Sequence, residues 1–60
     1  MCESTVFKER ESKREVLMEE VVHVAIEGRR LTLTGILGET RETEGRIKEI
    51  DLLKHAIIVA

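Results

Sequence analysis

The run from residue 21 to residue 35 constrains the fold most, because apolar and polar side chains alternate along it on both sides of a turn signal. The segments 21–27 (VVHVAIE) and 31–34 (LTLT) have the two-residue period that is typical of β-strands. Between them, Gly28 is followed by two arginines, which suits an exposed turn. We therefore predict a β-hairpin over residues 21–35 at the centre of the fold.

The rest of the chain also has the pattern of short strands. Further strands are predicted over residues 2–8, 15–20, 39–44, 46–50 and 55–59. The polar run 8–14 lacks an Asn-Gly or Asp-Gly pair and predicts a loose hairpin loop. Residues 15–20 (EVLMEE) also favour helix, so one helical turn is the alternative there. Ile36-Leu37, between two glycines, indicates a bulge or strand corner, and residues 51–54 indicate a turn.

Strands of this length predict an all-β fold, a small SH3-like or OB-like β-barrel of five or six short antiparallel strands, forming one domain over residues 1–60. An open sheet would expose apolar edges, which a closed or partly closed barrel removes. The first and last strands commonly lie side by side in such barrels. Strict antiparallel pairing of residues 2–8 with 54–60 would place His55 opposite Phe7.

The small size of the chain predicts a partner subunit or a metal. A chain of 60 residues buries only about 60% of the surface that its unfolded form exposes, so its core is marginal. The single cysteine, Cys2, excludes an internal disulfide. We therefore expect a homodimer, with apolar contacts from the last strand, residues 56–59 (AIIV).

Charge and apolar content argue against several classes of function. The ten basic and twelve acidic residues are interleaved and give a net charge of −2, which does not favour phosphate or nucleic-acid binding. Phe7 is the only aromatic residue, so a stacking surface for RNA is missing, and Arg29-Arg30 is explained by the hairpin turn. No apolar run has the length of a membrane span or a signal-peptide core, which predicts a cytoplasmic protein with a reduced thiol.

Cys2 is the strongest candidate for a functional residue. A thiolate beside the first amide, or beside the free amine if Met1 is removed, forms a chelate ring of sulfur and nitrogen. Two such termini on a dimer axis supply two sulfurs and two nitrogens. A square-planar set of this kind suits Ni(II) or Cu(II), and a tetrahedral set with histidine suits zinc. The alternative is a small residue at a chain end with no ligand.

The two histidines are weaker candidates. His55 opens the last predicted strand and is a candidate supplementary metal ligand, although a structural role is the more common explanation. His23 is expected to be a surface residue on the face of its strand opposite Val22, Val24 and Ile26. Catalysis finds little support, because a cysteine nucleophile needs a positioned base and an orienting group. We expect the protein not to be an enzyme.

Several segments together resemble the CooT family. They are MCESTV (1–6), VLMEEV (16–21), GE (38–39) with GRIKEID (45–51), and His55. The resemblance implies a small β-rich dimer whose second-position cysteine, Cys2 here, binds Ni(II) during maturation of nickel-containing carbon monoxide dehydrogenase. Some members have been described as predicted RNA-binding proteins. The Met-Cys start is also similar to hydrogenase maturation chaperones of the HypC type, but the proline that follows there is absent.

The prediction is therefore a nickel-binding accessory protein, a metallochaperone that partners a nickel enzyme or its maturation factors. The alternative is a small barrel that binds RNA or protein without a metal. A third interpretation is a purely structural subunit, in which both Cys2 and Arg29-Arg30 would be replaceable.

Overall fold

Six β-strands account for most of residues 3–60, the part of the chain that the computed structural model describes. The strands form one sheet in the order β4-β3-β2-β1-β6-β5. Their bounds are β1 Ser4–Arg10, β2 Lys13–Glu27, β3 Arg30–Gly35, β4 Thr40–Glu44, β5 Ile47–Asp51 and β6 Ala56–Val59. The all-β prediction is confirmed. Nowhere in residues 3–60 is there a helix with the length and apolar character needed to cross a membrane.

The central hairpin is formed by the second half of β2 and by β3, as predicted. Val24 pairs with Leu33 and Ile26 with Leu31, so the apolar residues of the two strands share one face. Gly28 makes the turn at a φ of 59°, a left-handed conformation that glycine adopts without steric cost. His23 lies on the other face and is exposed, in agreement with its prediction as a surface residue.

Residues 15–20 are extended, so the strand interpretation is confirmed and the helical alternative is wrong. They belong to β2, which is 15 residues long. The predicted loose loop over residues 8–14 is also wrong, since the chain turns in two residues, Glu11 and Ser12. Both have a positive φ, 52° and 68°, as in the tight turns whose twist matches a hairpin. The ladder on either side of the turn imposes this conformation without an Asn-Gly pair.

An irregularity near Val21 divides β2 into two halves. Val21 pairs with Ser4 on one side and Gly35 on the other, and both ladders shift register next to it. Glu20, just before it, has a φ of 56°. Such bulges bend a strand. Leu17 and Met18 of the first half and Val24 of the second half pack against one core cluster, which contains the buried side chains of Val6, Val21, Leu31, Leu33 and Val59.

The first and last strands are adjacent, as expected, but they run parallel. Thr5 pairs with Ala56 and Lys8 with Val59, so the all-antiparallel prediction is wrong for this pair. The turn over residues 52–55 starts β6 at the same end of the sheet as the start of β1. His55 therefore lies beside Thr5, whose amide donates to the His55 carbonyl at 2.9 Å, and not opposite Phe7.

Strands β4 and β5 form the two edges of the sheet and are not paired with each other, so the sheet is not closed into a complete barrel. Both are five residues long and rich in charged side chains, which discourages pairing with another chain. Their connection is held by backbone hydrogen bonds. Gly45 N–H donates to the Arg29 carbonyl at 2.8 Å, and Arg46 and Ala60 exchange two bonds of 3.2 and 2.9 Å.

The last strand contributes mainly to the core of its own chain. Ile58 and Val59 are buried, and Ala56 and Ile57 are half-buried. The prediction that residues 56–59 supply the apolar contacts of a dimer is therefore wrong for Ile58 and Val59, because an interface needs accessible side chains. The sequence pattern alone does not show whether an apolar strand is covered by its own chain or by a second copy.

Glu9 joins three strands through its carboxylate. One oxygen accepts from Arg14 Nε at 3.0 Å, the other accepts from Lys48 Nζ, and Arg14 Nη2 lies 3.9 Å from Glu49 Oε1. The hydrogen bond from Lys48, followed by that from Arg14, lowers the pKa of Glu9 below its ordinary value.

A lowered pKa in the folded state means that Glu9 stabilises the fold above the pKa of an unfolded glutamate, and that this contribution is lost as pH falls through the lowered pKa. We expect Glu9→Gln to have a lower urea midpoint than the parent at neutral pH. In acid, where the parent also loses the charge of Glu9, the two midpoints should lie closer together. Glu15→Gln, on the same hairpin and without an ion pair in residues 3–60, is the control and should shift the midpoint less. Equal shifts in the two variants would contradict the role given to the Glu9 ion pairs.

Candidate metal site

The predicted ligand Cys2 lies outside the described residues. The structure shows only the residues that follow it, from residue 3 onwards. Strand β1 begins at Ser4, which pairs with Val21 of β2. On its other side, Thr5 pairs with Ala56 at the start of β6. Three residue steps separate Cys2 from Thr5, and in a fully extended chain they span at most about 11 Å. A site proposed to include Cys2 is therefore expected near this end of the sheet.

His55 is placed at the same end by a tight turn. The Asp51 Oδ1 atom accepts from the amides of Leu53 and Lys54 at 3.1 and 3.0 Å, which fixes the turn before β6. His55 itself has a φ of 54°, a conformation that costs a non-glycine residue about 1–2 kcal/mol. Its carbonyl is bound by Thr5, while its side chain is exposed. The imidazole is thus accessible beside the first strand.

The remaining potential ligands are dispersed. Across residues 3–60, no three His, Asp or Glu side chains are grouped closely enough to hold a metal ion. His23 lies on β2 opposite Thr34 of β3, whereas His55 is bound to β1. The described residues therefore place the two histidines in separate parts of the sheet and contain no such cluster of three.

Sequence reasoning missed a group of exposed leucines in two loops. Leu37 is 88% exposed in the loop between β3 and β4, and Leu52 and Leu53 are 78% and 90% exposed in the turn before His55. Both loops lie at the end of the sheet where β1 begins. The first loop follows Gly35, which is aligned through Val21 with Ser4 at the start of β1. The second loop ends at His55, whose carbonyl is bound by Thr5. The available signal was the presence of adjacent apolar residues, Ile36-Leu37 and Leu52-Leu53, in predicted turns.

Comparison with known proteins identifies relatives over the whole chain. Residues 1–60 match the family described as CO dehydrogenase accessory protein CooT. A crystal structure assigned to CooT from Carboxydothermus hydrogenoformans has a TM-score of 0.89 and 28% sequence identity, and the match covers 97% of this chain and 94% of that one. An uncharacterized protein from Archaeoglobus fulgidus is 45% identical over 42 residues, which are 70% of this chain and 93% of that protein.

These matches first define a class, that of small all-β accessory proteins of CO dehydrogenase, which assist that enzyme and are not catalysts themselves. Within that class, this chain belongs to the CooT family. The predicted family resemblance and the prediction that the protein is not an enzyme are both confirmed. The link to CO dehydrogenase is the part of the functional prediction that the family shows.

Proposed function

We propose that this protein is a metallochaperone that binds Ni(II) through Cys2 and takes part in the maturation of CO dehydrogenase. The observation that carries the proposal is the match of residues 1–60 to the CooT family of accessory proteins. An accessory protein of a nickel enzyme has an evident use for a nickel ligand. Cys2 is the only thiol in the chain, and a reduced thiol is stable in the cytoplasm, where we expect the protein to act.

The proposed ligand set uses two copies of the chain. Each copy offers one soft donor, the Cys2 sulfur, together with a nitrogen at or next to the same residue. A homodimer with both termini on its axis would therefore supply two sulfurs and two nitrogens, a set that suits Ni(II). The lack of a three-residue ligand cluster in residues 3–60 supports a site that one copy does not complete.

Titration of the purified apo protein with Ni(II) tests this proposal. We expect sulfur-to-nickel charge transfer in the ultraviolet, one nickel for two chains by native mass spectrometry, and a dimer by light scattering. One nickel per monomeric chain would contradict the shared site. Lack of any charge-transfer band would contradict ligation by Cys2.

His55 is proposed as a supplementary ligand, because its exposed imidazole lies beside Thr5 at the end of the sheet where β1 begins. We expect His55→Ala to weaken nickel binding about 10-fold and to alter the absorption spectrum. His23→Ala is the matched control, since it removes an exposed imidazole from β2 and should change neither quantity. Unchanged affinity and spectrum in His55→Ala would leave this residue a role in the turn alone.

A metal-free protein-binding module is the second candidate function. The exposed side chains of Leu52 and Leu53, which are adjacent in one turn, and of Leu37 at the same end of the sheet favour it, because exposed apolar surface often marks a contact with another protein. RNA binding is the less favoured form of this alternative, given the net charge of −2 and the single aromatic residue. A variant without the Cys2 thiol that still supports CO dehydrogenase maturation would favour the metal-free function.

A further inference from the structure

A basic cleft lies between the first hairpin and the connection from β4 to β5. We define it by four cationic residues, Lys8, Arg10, Arg29 and Arg46. It consists of two adjoining hollows of about 590 and 570 Å³ that share Arg29 and Ala60. Four cationic residues around one cleft are unexpected in a chain whose net charge is −2, which suggests that the cleft binds an anionic group.

The acidic residues that line the cleft do not neutralise it. Both oxygens of Glu9 are engaged by Arg14 and Lys48, which lie outside the cleft lining. That leaves Glu15, Glu44 and the terminal carboxylate of Ala60 against the four cations, an excess of one positive charge. Lys8 Nζ donates to the Glu44 backbone carbonyl at 2.9 Å, a neutral acceptor that leaves the charge of the ammonium in place.

The three arginines of the basic cleft have no ion pair within the part of the chain that the structure describes. Their backbone positions are nevertheless well fixed. Arg29 accepts the Gly45 amide through its carbonyl at 2.8 Å, and Arg46 exchanges two backbone bonds with Ala60. Arg10 pairs with Lys13 beside the tight turn of the first hairpin. Because the backbone of these arginines is already fixed, less conformational entropy is lost when their unpaired guanidinium groups bind an anion.

We propose that the basic cleft is a docking site for an acidic segment of a partner protein, whose carboxylates the arginines bind. A guanidinium group matches a carboxylate in shape and can donate two parallel hydrogen bonds to it. The cleft lining contains no aromatic side chain on which a nucleotide base could stack, so carboxylates are favoured over nucleic acid. The proposal does not depend on nickel binding, because none of the four residues is a proposed metal ligand.

Arg29 and Arg30 provide a matched test, since they are adjacent and both exposed, yet Arg30 is not part of the cleft lining. It lines a neighbouring hollow, which shares Thr43 and Glu44 with the cleft. The probe is a fluorescein-labelled peptide of alternating glutamate and alanine, and binding is followed by anisotropy at low and at physiological salt. We expect Arg29→Glu to weaken binding at least about 10-fold and Arg30→Glu less than about 2-fold, although both change the net charge equally. Binding to the parent should weaken as salt is raised.

Three outcomes would overturn the proposal. They are equal losses in the two variants, no binding of the peptide by the parent, or tighter binding of a single-stranded RNA of the same charge. Arg46→Glu is a second variant of the cleft and should reproduce the loss seen with Arg29→Glu, which guards against a folding defect in one variant. The thermal unfolding midpoint and the circular dichroism spectrum of each variant establish whether the fold is intact.

Discussion

Replacement of Cys2 by serine is expected to abolish tight nickel binding and to leave the fold intact. A serine hydroxyl is a hard donor that stays protonated near neutral pH, so the substitution removes the only thiolate with little change in volume. Loss of a supporting residue around a metal typically costs 10- to 100-fold in affinity, so loss of the sulfur ligand should cost at least about 100-fold. The ladders that build the sheet begin at Ser4, and the core begins at Val6. The measurement is nickel titration by calorimetry and absorbance.

A double variant supplies the control for this prediction. Cys2→Ser combined with Ser4→Cys returns one thiol to the chain, two positions further along, on β1. Because the chelate needs sulfur and nitrogen at the start of the chain, we expect the double variant not to recover tight binding. If the Cys2→Ser variant binds nickel as tightly as the parent, the metal site lies elsewhere. Binding to the parent should also weaken as pH falls, because protons compete with nickel for the thiolate and the nitrogen.

Replacement of Gly45 by alanine is expected to lower the free energy of unfolding more than the other substitutions considered, Glu9→Gln and Gly28→Ala. Gly45 is buried at a φ of 145°, a region that only glycine adopts readily. An added Cβ would lie 2.6 Å from the Ala60 carbonyl oxygen, 3.0 Å from Val59 Cγ1 and 3.1 Å from Lys8 Nζ. Backbone strain and overpacking each cost about 1–3 kcal/mol, so we expect a loss of about 2–6 kcal/mol in the free energy of unfolding, measured in urea.

Gly28→Ala is the matched control for the Gly45 prediction. Gly28 also has a positive φ, 59°, but no atom lies within 4 Å of the position that its Cβ would occupy. Only the cost of a positive φ in a residue with a Cβ remains, so we expect the free energy of unfolding to fall by about 1–2 kcal/mol. Similar losses in the two variants would show that conformation alone, and not the contact with Ala60 and Val59, makes glycine necessary at residue 45.

The central hairpin and the all-β class could be predicted because strict alternation over residues 21–35 leaves few other structures. Strand direction could not be predicted, since a period of two is the same in parallel and antiparallel ladders. The pairing of Thr5 with Ala56 therefore appears only in the structure. The turn at Glu11 and Ser12 was missed for a related reason, namely that the flanking ladder, and not the turn residues, imposes their conformation.

The candidate site was predictable in its chemistry and not in its geometry. The type of residue makes Cys2 a ligand candidate, whatever the fold around it. The place of His55 depends on the turn held by Asp51 and on the parallel ladder, neither of which has a distinctive sequence pattern. The basic cleft combines residues from β1, the β2–β3 turn and the β4–β5 connection, which lie far apart in sequence. Only folding brings their charges together.

The parallel ladder between β1 and β6 also determines when the proposed site forms during folding. Strand β1 has a partner nearby in sequence, β2, but Thr5 and Ala56 are about fifty positions apart, and closing so long a loop is entropically costly until other contacts have formed. Local hairpins, which need only short loops, are expected to form first. Docking of β6 against β1 then completes the sheet, and the same step brings His55 beside Thr5. A partly folded chain thus lacks the neighbouring His55 imidazole, so we expect the proposed metal site to be complete only in molecules that have finished folding.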